Sequence, residues 1–180
     1  ALMRIVGGRL RGRALAAPKS QAVRPTADRL REALFNVLVH AYGDPVTGAR
    51  VLDLFAGTGA LGLEALSRGA AFALFVDQGA EARALIRENV AALGLGGVSR
   101  IFRRDATQLG AAHPVEPFSL AFLDPLYGQG LAEKALTSAR AGGSCRSPEP
   151  VHRDPAGRTP SSALRDSRRT RAARGDRRSR

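Results

Sequence analysis

Cysteine is nearly absent from this chain: Cys145 is the only one in 180 residues. That excludes a disulfide framework and a cysteine-ligated zinc cluster within the chain. Tryptophan is missing, tyrosine occurs twice, and aromatics make up 5% of the residues. No apolar run approaches the roughly 18 residues of a membrane span. The N-terminus has no signal-peptide apolar region, so a soluble, cytoplasmic protein with no membrane partner is expected. Gly-Lys-Ser/Thr phosphate loops and Gly-x-Ser-x-Gly elbows are also lacking. His113 and His152 have no partner acids at a telling spacing, and no metal site is expected.

Lysine is scarce too. Lys19 and Lys134 stand against 26 arginines, and the net charge is +12 with a pI near 11.5. A strongly basic chain points to a polyanionic partner. A GC-rich genome would explain the arginine-to-lysine ratio but not the whole net charge. The 44% hydrophobic content is enough for one domain with a real core.

Residues 1–24 read as a basic arm: five arginines and a lysine without an acid between Met3 and Arg24. Alternation of Ile5, Leu10 and Leu15 with Arg4, Arg9, Arg11 and Arg13 fits a strand or hairpin, and a solvated arm is the competing reading. Arginine forks match phosphate geometry, which favours a role in gripping RNA. Thr26 reads as the N-cap of a helix with Asp28 in its first turn. Leu30, Ala33, Leu34, Val37, Leu38 and Ala41 recur at helical spacing, and Gly43 can end the helix. Arg29, Glu32, Asn36 and His40 lie away from that stripe.

Strands and helices then alternate. Strands are expected at 50–55, 72–77, 100–104 and 119–123, and helices at 59–68, 80–93 and 131–140. Such alternation implies a doubly wound, mostly parallel sheet. Its ligand site lies beyond the carboxyl ends of the strands, where strand order reverses. The grammar breaks at Gly142. Ser144–Arg180 holds eleven arginines against four acids, with Val151 and Leu164 as its only branched aliphatics. It reads as a disordered Arg/Pro/Ser-rich tail. One use for it is nonspecific nucleic-acid binding. The preferred reading is out-of-frame translation of GC-rich DNA. Cys145 falls in this tail, which argues against a cysteine nucleophile.

Val51–Gly62, VLDLFAGTGALG, carries the most chemistry. Gly57, Gly59 and Gly62 permit close approach of a cofactor to the backbone at a helix N-terminus. Their spacing matches the dinucleotide fingerprint and is ambiguous alone. Asp53 discriminates: a carboxylate at the strand mouth repels a pyrophosphate and suits a cofactor with a cationic amino-acid end, such as S-adenosylmethionine. Asp53, Asp77, Asp105 and Asp124 each close a strand, so all four should line one sheet edge. Asp77 lies 20 residues after Gly57, near the offset of a ribose-binding acid. Asp105, beside the backbone N–H of Ala106, suits an adenine amino group.

Asp124-Pro125-Leu126-Tyr127 is the chemical candidate. Methylating an exocyclic amine requires its lone pair, which is conjugated into the base. A carboxylate and a backbone carbonyl, each accepting an N–H, can aim the nitrogen at the donor. Proline fixes the turn, and Tyr127 can stack on a flipped base.

With these residues in view, the chain resembles the RsmD-type methyltransferases, which methylate the N2 amine of a guanine in bacterial 16S ribosomal RNA. The resemblance is carried by Met3-Arg-Ile-Val-Gly-Gly, Arg11-Gly-Arg, Arg24-Pro-Thr-Ala-Asp-Arg-Leu-Arg-Glu-Ala-Leu-Phe-Asn36, Asp53–Gly69 and Asp124–Tyr127, within residues 3–143. It implies a Rossmann-like methyltransferase domain over 25–143. Asp53, Phe55, Gly57 and Gly59 would contact the methionine end of S-adenosylmethionine, Asp77 the ribose, and Asp105 with Ala106 the adenine. Asp124, Pro125 and Tyr127 would handle the guanine amine. Arg4, Arg9, Arg11, Arg13, Arg24 and Arg29 would meet 16S RNA or the small-subunit particle. Leu126 replaces the family's usual second proline. The family's sheet has seven strands and four are recognisable here, so the last strands are expected to be lacking, leaving Leu120 and Phe122 on an open edge facing water. The alternatives are an inactive truncated product that at most binds RNA, and an NAD-dependent oxidoreductase.

Overall fold

Two segments, Val51–Leu54 (apolar but for Asp53) and Ala73–Val76, are buried along their whole length, as strands covered on both faces must be. They belong to a four-stranded sheet in the computed structural model, which describes residues 3–23, 25–111, 116–125 and 130–144. All of these lie in one unit spanning Ala1–Ser147. In chain order the elements are β1 (Met3–Arg4), β2 (Ala14–Leu15), α1 (Asp28–Ala41), β3 (Arg50–Leu54), α2 (Ala60–Ser67), β4 (Phe72–Val76), α3 (Ala80–Leu93), β5 (Ser99–Phe102), β6 (Leu120–Leu123) and α4 (Leu131–Ala141).

The large sheet has the order β5-β4-β3-β6, every neighbouring pair parallel. The chain steps outward from β3 through β4 to β5, then returns to place β6 on the other side of β3. Strand order therefore reverses between β3 and β6, the point at which open α/β sheets bind ligands. Alternation along the strands feeds two cores. Val51, Ala73, Phe75 and Phe122 pack with Phe35 of α1, Leu63 of α2 and Ile86 of α3. Leu52, Leu54, Leu74 and Val76 pack on the opposite face with Phe118, Leu109, and Ala135 and Ala139 of α4.

The expected elements are present, with strand ends shifted by a residue or two. Helix α3 matches its expected bounds, and Gly94 closes it in the left-handed region at φ 68°. Four expectations need correction or refinement. Leu120 is half-buried and Phe122 is buried: the ring centroids of Phe122 and Phe35 are 5.6 Å apart, so α1 covers this face of β6. Among the described residues β6 does pair on one side only. Thr26 is not the N-cap of α1. Ala27 occupies that position without a side-chain cap, and Thr26 turns elsewhere.

The buried side of α1 also differs from its apolar stripe. Leu30 is 61% exposed and Val37 51%, whereas Arg31 and Phe35 are wholly buried. Arg31 tolerates burial because partners surround its guanidinium. It donates to the Thr26 carbonyl at 2.6 Å, to Asp28 Oδ1 at 2.7 Å and to the Arg4 carbonyl, and its Nε lies 3.9 Å from Glu64.

The basic N-terminal segment is docked on the sheet-bearing unit. β1 and β2 pair antiparallel, and Met3, Ile5 and Leu15 enter the main core. The buried Glu64 carboxylate of α2 accepts from Val6 N at 2.9 Å, Gly7 N at 2.7 Å and Arg68 Nε at 2.8 Å. Ser67 Oγ accepts from Leu10 N and donates to the Gly7 carbonyl. Arg24, Leu126, Tyr127 and 145–180 lie outside the described residues.

Candidate active site

The turn after β3 is built around unusual backbone. Phe55 sits at φ 57°, an uncommon and strained conformation for a residue with a side chain. Gly57 at φ 56° and Gly59 at φ 77° follow. Gly62 has a different reason: a Cβ there would lie 2.4 Å from Phe75 Cε1. Its bare backbone lets α2 press against the sheet, and its N–H reaches Asp53 Oδ2 at 2.9 Å.

Asn89 braces this turn. Buried on α3, it donates to the Thr58 carbonyl at 3.1 Å and accepts from Ala16 N at 2.7 Å. The same side chain therefore holds both the glycine turn and the N-terminal segment. Glu81, in the first turn of α3, accepts from Lys19 N at 3.0 Å and from Ser20 N at 3.1 Å, and from the Ser20 hydroxyl. These hydrogen bonds keep its carboxyl below the ordinary glutamate range, led by the Ser20 hydroxyl. So anchored, the segment leading into α1 reaches the carboxyl end of the sheet.

A cleft of about 690 Å³ opens there. Phe55–Thr58, Asp53, Asp77, Asp124 and Pro125 line it from the sheet side; Ala22, Val23, Pro25–Ala27 and Leu30 line it from the N-terminal segment and α1. Three of the four strand-end acids thus meet in one cavity. Asp105 is not among the lining residues. Its carboxylate accepts from Thr107 N at 2.8 Å and the Thr107 hydroxyl at 2.6 Å, capping a short 3-10 turn that contains the buried Ala106. Hydrogen bonds from Thr107 and then Gln78 hold its carboxyl below the usual aspartate range.

The three gathered carboxylates differ. Asp77 Oδ2 accepts from Gly57 N at 2.9 Å and Oδ1 from Gly79 N at 2.7 Å. Asp124 is exposed, and its Oδ2 accepts from the Thr26 hydroxyl at 3.0 Å. Asp53 is only 1% exposed. Burial pushes its carboxyl up to about 8, against the Gly62 hydrogen bond and with help from the charges of Asp124 and Asp77.

This arrangement tests which cofactor fits. Gly57 N–H is engaged by Asp77 and Gly59 N–H by the Ala56 carbonyl at 2.7 Å, so neither is free to cradle a phosphate. The carboxylates of Asp77 and Asp124 on the cavity wall oppose a pyrophosphate further. A ligand with an ammonium group and ribose hydroxyls fits, because the carboxylates retain lone pairs to accept from it. Among the described residues no group of three or more His, Cys, Asp or Glu could hold a metal ion. None of their helices is long and apolar enough to cross a membrane.

Of the arginines expected to meet RNA, Arg4, Arg9, Arg11, Arg13 and Arg29 are exposed. Arg4 lies 3.7 Å from Asp28, and Arg13 donates to the Ala92 carbonyl at 2.7 Å. Sequence reasoning missed Thr26, Arg31, Glu64 and Glu81. A spacing signal existed for one pair: Glu64 and Arg68 stand at i,i+4 on a helix that is otherwise almost wholly apolar.

The family model described as conserved hypothetical protein 95 matches residues 3–143. The ribosomal RNA small subunit methyltransferase D of Escherichia coli is 41% identical over 134 residues, which is 74% of this chain and 65% of the relative. That of Haemophilus influenzae is 33% identical over 75% of this chain and 69% of its own length. The solved structure of the yhhF protein of Escherichia coli superposes with a TM-score of 0.67 at 36% identity, covering 81% of this chain and 76% of that one. Residues from the hairpin to the end of α4, including the whole described cleft, fall inside the matched region. The chain therefore belongs to the conserved hypothetical protein 95 family, that of the RsmD-type methyltransferases.

Proposed function

We propose that this chain binds S-adenosylmethionine in the cleft and directs its methyl group to the N2 amine of a guanine in 16S ribosomal RNA. The observation that carries the reading is the convergence of Asp53, Asp77 and Asp124 on one cavity at the β3/β6 switch point. When bound, the cofactor supplies an electrophilic methyl on a sulfonium. The protein's work is then positioning and electrostatics. Asp53 faces the cofactor's ammonium group, Phe55, Gly57 and Gly59 shape the turn against it, and Asp77 accepts from the ribose hydroxyls. Asp105 and Ala106, beside Gln78 and so one residue from Asp77, take the adenine end.

Asp124 and the Pro125 carbonyl accept the two amine hydrogens and hold the nitrogen lone pair toward the methyl group. Once the N–C bond forms, the amine is a strong acid, so Asp124 need only receive a proton that leaves readily. Tyr127 stacks on the base. The exposed arginines Arg4, Arg9, Arg11, Arg13 and Arg29, with Arg24, contact the phosphates, whose affinity will fall steeply with salt. The family relation to named ribosomal RNA methyltransferases supports the RNA substrate.

The test is transfer of labelled methyl from S-adenosylmethionine to unmethylated 16S RNA or small-subunit particles. The reading predicts label incorporation that Asp124→Ala abolishes. A chain that binds the RNA with salt-sensitive affinity yet transfers nothing would instead be an RNA binder. The matched segment spans 65% of the Escherichia coli relative, which makes that second outcome the one to compare.

A further inference from the structure

Asp124 does not stand alone at the cleft: the Thr26 hydroxyl donates to its Oδ2 at 3.0 Å, and both residues line the cavity. Thr26 is itself held. The wholly buried Arg31 donates to its carbonyl at 2.6 Å, and Arg31 is fixed in turn by Asp28 at 2.7 Å and by the Arg4 carbonyl. A residue placed by sequence as a helix cap thus has a hydroxyl committed to the carboxylate beside the reacting amine.

The direction of that hydrogen bond has a chemical consequence. A hydroxyl has one hydrogen and two lone pairs. With its hydrogen on Asp124, Thr26 can offer a ligand only lone pairs. Thr26 Oγ1 and the Asp124 carboxylate are therefore two neighbouring acceptors. A guanine edge presents two neighbouring donors, N1–H and N2–H. Adenine and cytosine each present an amine beside a ring nitrogen that is itself an acceptor, which would face the Thr26 lone pairs without a hydrogen between them.

We infer that Thr26 is a specificity-determining residue that accepts the guanine N1–H while Asp124 accepts from N2, so that the pair selects guanine over the other amine-bearing bases. Arg31 is a positioning residue that sets the height of Thr26 in the cleft. This rests on the guanine-N2 reading above. It adds to it the recognition of a ring N–H that takes no part in the transfer.

The test separates the two. With S-adenosylhomocysteine present at saturation, guanosine 5′-monophosphate and 2-aminopurine riboside 5′-monophosphate are titrated into the intact chain and followed by amide NMR shifts. 2-Aminopurine keeps the N2 amine but has an acceptor at N1. The unaltered chain and Thr26→Ser should prefer the guanine nucleotide by at least about tenfold, the scale of a buried polar group left unpaired. Thr26→Val, equal in shape, should lose most of that preference. The missing 6-oxo group of 2-aminopurine affects all three chains alike, so the change between them isolates Thr26. Binding of neither nucleotide, absence of preference in the unaltered chain, or the same preference in Thr26→Val overturns the inference. Methyl transfer to unmethylated 16S RNA is measured on the same preparations. Transfer without nucleotide preference removes only this inference, and absence of transfer removes the methyltransferase reading whatever the nucleotides do.

Discussion

Burial of Asp53 sets up a measurable coupling between protons and cofactor. The carboxyl is 1% exposed and pushed up to about 8, chiefly by desolvation. At about pH 6.5 the protein alone therefore holds this group neutral, while a free α-amino group, with its pKa of about 7.7, is still an ammonium. Placing that ammonium against Asp53 favours the carboxylate. The pair then shares one proton where the separated partners held two. Binding S-adenosylmethionine should release about one proton, and affinity should rise by up to about tenfold per pH unit between about pH 6 and about pH 7.5, since one unit corresponds to about 1.4 kcal/mol. Calorimetric titration in two buffers of different ionisation enthalpy counts the protons directly. Asp53→Asn, which keeps an oxygen for the Gly62 N–H but cannot ionise, should release none and show a flat pH profile. Binding by the unaltered chain with no proton release and no pH dependence would refute both the raised carboxyl and its contact with the ammonium.

Other outcomes follow from the same structure. Because the folded Asp53 binds its proton more tightly than the unfolded chain does, its contribution to stability is complete below about pH 4 and is lost as pH rises toward about 8, with a slope near 1.4 kcal/mol per unit in between; chemical denaturation across this range should show that slope lessened in Asp53→Asn. Glu64→Ala takes the carboxylate acceptor from Arg68 Nε and from two N–H groups of the hairpin, and removes the nearby charge from Arg31, which should cost about 3–5 kcal/mol in denaturation experiments; a loss below about 1 kcal/mol, the scale of a surface pair, would contradict the burial. Gly62→Ala drives a methyl into Phe75 and should destabilise by about 1–3 kcal/mol, with weakened cofactor binding. Glu81→Ala removes the acceptor of three hydrogen bonds from Lys19 and Ser20; amide exchange of residues 19–23 should quicken while that of β3 and β4 stays unchanged.

Much of this was readable beforehand because parallel α/β architecture writes itself locally. The apolar strands, the glycine turn and the acids that close the strands are contiguous signals, and so the sheet, the switch point and the meeting of Asp53, Asp77 and Asp124 were all expected. The sequence alone leaves Phe122 facing water because no later strand is recognisable beside β6, whereas α1 covers it through Phe35. Arg31 was invisible for a related reason. Charge argues for the surface, and only the three-dimensional convergence of Asp28, Glu64 and two carbonyls makes burial tolerable. Thr26 looked like a cap because Ser/Thr before a helix usually is one. Its true partner lies 98 residues away. β5 ends at Phe102, and Asp105 lies three residues beyond it, capping a 3-10 turn through the Thr107 N–H and hydroxyl. Short-range hydrogen bonding of this kind competes with any long-range role assigned from spacing.

The most direct test of a single acid-lined cleft joining cofactor to base is the identity of the modified nucleoside. Unmethylated small-subunit RNA incubated with the chain and S-adenosylmethionine, then digested and resolved by mass spectrometry against standards, should yield N2-methylguanosine and no other new methylated nucleoside. N6-methyladenosine, a methylated ribose, or label incorporated at full rate by the Asp124→Ala chain would contradict it.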